Sequence, residues 1–243
     1  RAGMLAARLA ASGLRGAEEP LSGDIGFLSI YGRGRADADA LLEGWGAPWQ
    51  IVHPGLWFKL YPCCSAAHHA ADAVLAIRAK HAPDPDRIVS VTAAFPPGGD
   101  AALVVREPKT GVEGRFSVEY VIAAALLHGE LGLEAFADRP LDERERTLAG
   151  KVCRVTDGET VPAPDAMPKG RFTVVTVTMQ DGTAYAERVD RPRGSPGRPL
   201  TEEERLMKYR DAVRGMPDPW LRLPERIAHL DRVADLSRFI PEH

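Results

Sequence analysis

Between Phe58 and His69 the chain reads FKLYPCCSAAHH, a lysine, a tyrosine, two adjacent cysteines and two adjacent histidines in one short run. Three chemistries use such residues: metal ligation, thiolate attack and the holding of an anion. Structural zinc sites space their ligands as C-x2–4-C or H-x3–5-H. Here Cys63 and Cys64 are neighbours, as are His68 and His69, and no second ligand pair follows, so a metal site is disfavoured. A cysteine near a helix N-terminus gains thiolate character. Free cysteines are more often small buried apolar residues, and that reading is preferred for Cys63 and Cys64. The third chemistry needs a helix after Pro62, whose first N–H groups and dipole would favour negative charge. Lys59 lies just upstream, Ser65 at the expected N-cap, and His68 one turn in, with Asp72 at i+4 to orient the imidazole or to pair with it. A carboxylate cradle built from Lys59, Ser65 and His68 is one reading. A solvated lysine beside a helix-surface histidine is the other, and the residues alone leave both open.

The elements that must position these groups follow from pattern. Residues 1–14 read as a helix with Ala6, Leu9 and Ala10 on its packed face and Gly13 as its stop. GAEEPLSGDIGFLSIYG reads as a glycine-rich link, Asp37–Gly44 as an acidic helical run, and Trp45–Pro54 as a crossing between domains. The spacing predicts a helix over Ser65–His81, with Val74, Leu75 and Ile77 as apolar surface and PDPD as its end. Arg87–Phe95 reads as a strand. Phe116–Leu127 reads as a buried alanine-rich helix ended by Gly129, Leu141–Gly150 as a charged helix, and KVCRVTD as a short strand. Arg171–Asp190 reads as a hairpin turning at Asp181-Gly182. After a Pro/Gly linker, Thr201 opens a helix with acidic residues in its first turn, and Leu221–Ile240 supplies one or two more. Helices, a mixed α/β block, then helices again predict an all-α domain, incomplete here, interrupted by an α+β insertion. The expected boundaries are 1–52 for helical domain, 53–193 for the insertion and 194–243 for the return to helical domain.

Bulk properties exclude some function classes. The net charge is −3, with acidic and basic residues interspersed, so no basic stripe points to nucleic acid and no polybasic cluster to a membrane surface. No apolar stretch is long enough to span a bilayer. The cysteines, Cys63, Cys64 and Cys153, are odd in number and two are vicinal, which fits a reducing, cytoplasmic setting. The chain begins inside a helix without an initiator methionine and reads as the tail of a longer protein.

KLYPCCSAAHHAADA resembles the K-P-Y-P-C-C-x-x-x-H-x-x-x-D-A signature of the MmgE/PrpD family. Four other segments match that family in order: RAGMLAARLAASGL, LSGDIGFLSIYG, RFSVEYVIAAALLHG and VDRPRGSPGRPLTEEERLMKYR. The resemblance implies a large helical domain carrying an inserted α+β lid, a homodimer, and work on small di- and tricarboxylates without metal or organic cofactor. It implies catalytic roles for Lys59, His68 and Tyr120, with Lys59 and Tyr120 in a cleft between the domains, and substrate contacts from Lys59, Ser65 and His68. Leu60 stands where many members have proline and Ala66 where many have histidine. Further catalytic residues of the family, an acid, histidines and a lysine, would lie ahead of Arg1. The implied activity is that of a lyase of the 2-methylcitrate dehydratase type, acting through a carboxylate-stabilised carbanion. A decarboxylase or epimerase of the same family, or a non-catalytic fragment serving as a binding or dimerisation module, are the alternatives.

Overall fold

The structure is a computed structural model that describes residues 1–33, 35, 37 and 39–233. The chain divides into two compact units, Arg1–Gly55 and Leu56–His243.

In the first unit, α1 (Ala2–Ala11) forms where the alanine and leucine pattern predicts it, and Gly13 follows it at φ 97°. The expected packed face of Ala6, Leu9 and Ala10 buries nothing, because α1 has no buried residue. The stretch expected to be only a link contains a short helix, α2 (Phe27–Gly32). The acidic helix expected over Asp37–Gly44 is absent: residues 39–46 form turns. The Asp37 carboxylate accepts the N–H groups of Asp39 at 3.0 Å and Ala40 at 3.3 Å, a local turn that competes with helix formation. A run this short, exposed on all sides, has no packing to offset the cost of helix nucleation.

In the second unit, α3 (His68–His81) leads through a short turn to β1 (Ile88–Phe95). Between β1 and the next strand come α4 (Gly111–Gly114), α5 (Val118–His128) and α6 (Glu143–Ala149). β2 (Val152–Thr156) then runs parallel to β1. β3 (Thr173–Met179) and β4 (Ala184–Val189) form the expected hairpin, with Gly182 at φ 85° supplying the conformation that a tight turn requires. The sheet order is β2-β1-β3-β4, and only the β1/β2 pair is parallel. One row of partners, Val152, Val91, Val177 and Tyr185, crosses all four strands. α3 packs against β3, β4 and α5, while α5 also meets α6 and β2. The result is a helical layer on a small mixed sheet.

Burial explains this layering. Val91, Val175 and Val177 alternate inward from the sheet, and Val74, Ile77, Ile122 and Leu126 meet them from the helices, all fully buried. Each such side chain contributes about 1.5–3 kcal/mol of transfer free energy. Caps fix the helix ends. Ser117 accepts the Tyr120 N–H at 3.3 Å to open α5, and Gly129 closes it in the left-handed conformation. Asp142 and Glu145 form a capping box on α6. Thr201 and Glu204 form another on α7 (Glu202–Ala212), which α8 (Asp218–Leu221) and α9 (Leu223–Ile227) follow. The part of the expected Leu221–Ile240 helices beyond residue 233 lies outside the described residues. Among the described residues no helix is long and apolar enough to cross a membrane.

Glu145 is fully buried, and Arg139 binds it through two bonds of 2.7 and 2.9 Å. Burial opposes its ionisation, but bonds from Arg139, the Asp142 N–H and His128 outweigh that cost and hold its pKa at about 2. Removing one partner of such a pair leaves a buried charge without compensation. Arg139→Ala, which strands the buried Glu145 carboxylate, is expected to lower the unfolding free energy by about 3–5 kcal/mol in urea titration. A loss below about 1 kcal/mol, the range of exposed pairs, would refute this account.

Candidate functional site

The segment ahead of α3 is anchored at several points. The Phe58 N–H donates to the Gly194 carbonyl at 2.8 Å. Gly194 has φ 84°, and a side chain there would collide with the Phe58 carbonyl oxygen, so the two segments approach this closely only with glycine. Leu60 and Tyr61 are buried, and Lys59 between Phe58 and Leu60 is left exposed. The Tyr61 hydroxyl donates to Asp72 Oδ1 at 2.5 Å and accepts a bond from Arg193. The Cys64 N–H is held by the Arg115 carbonyl at 2.8 Å.

The chain leaves Cys64 in extended geometry, makes a single 3-10 turn over Ser65–Ala67, and enters α3 at His68. The helix therefore starts three residues later than predicted, and Ser65 does not cap it: Ala67 holds that position without a side-chain bond. The Asp72 carboxylate does not bond His68 either. It accepts the Arg193 N–H at 2.7 Å and Arg193 Nε at 3.0 Å as well as the tyrosine hydroxyl, and pairs with Arg198 at 3.5 Å. His68 is 4% exposed and its Nε2 is buried without a partner. Burial, reinforced by the Lys59 charge, lowers the His68 pKa to about 4 against the opposing pull of Asp72. The ring is thus neutral at pH 7, with one nitrogen carrying a lone pair.

Lys59, Ser65 and His68 line one cavity of about 470 Å³, together with Arg171 and Arg193 and walled by Phe95, Phe172 and other apolar groups. Among the described residues Lys59 makes no ion pair or hydrogen bond. Tyr120 does not line this cavity. It is fully buried on α5, its hydroxyl donates to the Ala135 carbonyl and lies 3.4 Å from Glu145, and burial raises its pKa. The structure therefore brings three of the four expected site residues together and places the fourth in the core. Arg171 and Arg193 were not singled out by the sequence reading. Arg193 lies inside a quoted family segment, whereas Arg171, the first residue of the expected hairpin, carries no local signal.

The other reactive residues of the run pack. Cys63 is buried, and desolvation, with Cys64 beside it, pushes its thiol up to about 12. His69 Nε2 is 3.0 Å from the Met167 carbonyl, and burial lowers its pKa. Among the described residues no group of three His, Cys, Asp or Glu side chains is arranged to hold a metal ion. A larger cavity of about 870 Å³ lies between residues 128–135 and α7. Its cations face Glu130, Glu134, Glu203 and Asp211, so its charge is largely matched internally.

A model of the MmgE/PrpD C-terminal domain matches residues 61–231. Cis-aconitate decarboxylase of Mus musculus is 29% identical over 219 residues, covering 86% of this chain and 42% of that protein. The Homo sapiens protein of the same name is 27% identical over 221 residues, covering 86% and 43%. That of Aspergillus terreus is 25% identical over 257 residues, covering 98% and 51%. The chain spans about half the length of the curated relatives it matches.

The buried imidazole makes a pH prediction. Its folded pKa of about 4 lies below the unfolded value of about 6.5. The unfolded chain therefore binds more protons between those values, and the stability that neutral His68 contributes is complete above about pH 6.5 and is lost as pH falls toward 4. Side-chain 15N NMR should show the His68 ring unprotonated at pH 5.5, and His68→Gln should flatten the fall of stability across this window. A ring already half protonated at pH 6.5 would contradict the burial argument.

Proposed function

This chain belongs to the MmgE/PrpD family, and on that premise we propose that it forms part of a lyase for small polycarboxylates, decarboxylase-like in its chemistry. The observation that carries this reading is that Lys59, without an ion pair among the described residues, and His68, whose Nε2 is buried without a partner, line one cavity, both on the segment that resembles the family signature. The relatives described above are cis-aconitate decarboxylases, so cis-aconitate is the first substrate to test.

Lyase chemistry beside a carboxylate leaves an electron pair on carbon, and that charge spreads onto the carboxylate oxygens. A cation fixed beside those oxygens stabilises the transition state more than the ground state, because the charge grows there during the step. Lys59 supplies that cation. In decarboxylation carbon dioxide leaves, its bonding electron pair stays on carbon, and that carbon takes a proton from water, leaving hydroxide; His68, neutral at pH 7, has a lone pair that can accept a hydrogen bond from that water and orient it. The Ser65 hydroxyl can donate to a bound carboxylate. Tyr120 is given no role, because its hydroxyl is committed within the core. In this proposal the sheet-bearing unit is the lid of a larger homodimeric, cytoplasmic protein, and the chemistry draws on side chains alone.

In the protein that carries this chain, Lys59→Met is expected to lower turnover by at least about 100-fold, comparable to loss of one charge-stabilising group elsewhere, while circular dichroism and thermal unfolding stay unchanged. Turnover is read as carbon dioxide release from cis-aconitate and by proton NMR of the products. Dehydration of 2-methylcitrate without that release would move the assignment to the dehydratase type. A wild-type protein inert toward cis-aconitate, 2-methylcitrate, citrate and iminodisuccinate would remove the lyase reading.

A further inference from the structure

None of the residues lining the 470 Å³ cavity is an aspartate or glutamate. Three cations line it: Lys59, Arg171 and Arg193. Arg193 is neutralised from behind by Asp72 at 3.0 Å and Glu204 at 3.0 Å. Lys59 and Arg171 have no carboxylate partner among the described residues, and both border a wall of apolar rings. Two like charges at one cavity repel each other. A ligand with two negative groups relieves it, whereas a ligand with one leaves a cation unmatched. The cavity lies within the range of about 300–1,000 Å³ typical of small-molecule sites.

Arg171 is also held in place. Its Nη1 donates to the Gly98 carbonyl at 2.8 Å, and the next residues, Phe172 and Thr173, are buried at the start of β3. The guanidinium keeps further N–H donors in a planar fork that suits a carboxylate. A side chain fixed in this way loses little freedom on binding.

We infer that Arg171 sets the ligand class of this cavity by holding a second carboxylate of a ligand whose first is held at Lys59, so that di- and tricarboxylates are accepted and monocarboxylates are not. This rests on the polycarboxylate reading of the same site.

Calorimetry on the protein that carries this chain, with tricarballylate, succinate and acetate as probes and the His68 ring 15N signal to locate binding, tests the inference. The wild type is expected to bind tricarballylate and succinate much more tightly than acetate, with the His68 signal shifting. Arg171→Gln should weaken the two polycarboxylates by roughly 10- to 100-fold, the value of a charge-assisted bond, and leave acetate unchanged. Arg171→Lys keeps the charge and a donor for Gly98 but loses the fork, and should fall between; its circular dichroism separates a lost fold from a lost contact. If Arg171→Gln binds all three probes as the wild type does, while Lys59→Met loses them, the Arg171 assignment fails and the polycarboxylate reading stands. If no carboxylate binds the wild type, both fail.

Discussion

The Asp72 carboxylate is the fixed point of the sheet-bearing unit. It is 5% exposed and receives bonds from the Tyr61 hydroxyl, the Arg193 backbone and the Arg193 side chain. Through one side chain it joins the segment before α3, α3 itself and the strap that leads to α7. An ionised carboxylate in such a place is tolerable only because every part of it has a partner. The consequence reaches the candidate site directly. Tyr61 is pinned two residues after Lys59, and His68 sits one helical turn before Asp72, so the lysine and the imidazole are positioned by the same buried charge.

Two other acids work in the same way at other joints. Glu119 on α5 receives both Nε and Nη2 of Arg154 on β2, at 2.7 and 2.6 Å. That arginine, 4% exposed, also bonds the carbonyls of Leu103 and Val105 and so ties the loop after β1 to the helix–sheet interface. Glu145 gathers Arg139 and His128 beside Tyr120. Buried acid–arginine pairs of this kind add little net stability over apolar packing, but removing one partner is costly. Their value here is geometric: each fixes the relation of segments that are far apart in sequence.

Charge balance separates the two large cavities. Where α7 faces residues 128–135, acids and bases are mixed, and Asp211 is used to hold the Leu133 N–H at 2.7 Å. At the start of α3 the cavity is lined by cations and by no acid, and Asp72 is turned toward Tyr61 and Arg193. The lowered histidine pKa follows from burial, with Lys59 adding to it and Asp72 opposing it.

Family membership, the hairpin at Asp181-Gly182, the strands β1 to β4, the Gly129 stop and the Thr201 cap were legible in the sequence because each rests on local pattern or short-range geometry. The acidic run near residue 40 misled for the same reason, since pattern without packing does not make a helix. Lys59, Ser65 and His68 were legible as neighbours on one motif. The sequence did not reveal that Asp72 would serve Arg193, 121 residues away, instead of His68 one turn back. Nor did it show that Tyr120 would spend its hydroxyl on Ala135, or that Arg171 would join Lys59 at one cavity. Those outcomes depend on which distant groups arrive beside a buried polar atom and on how much water they exclude, and only the packed tertiary structure decides that.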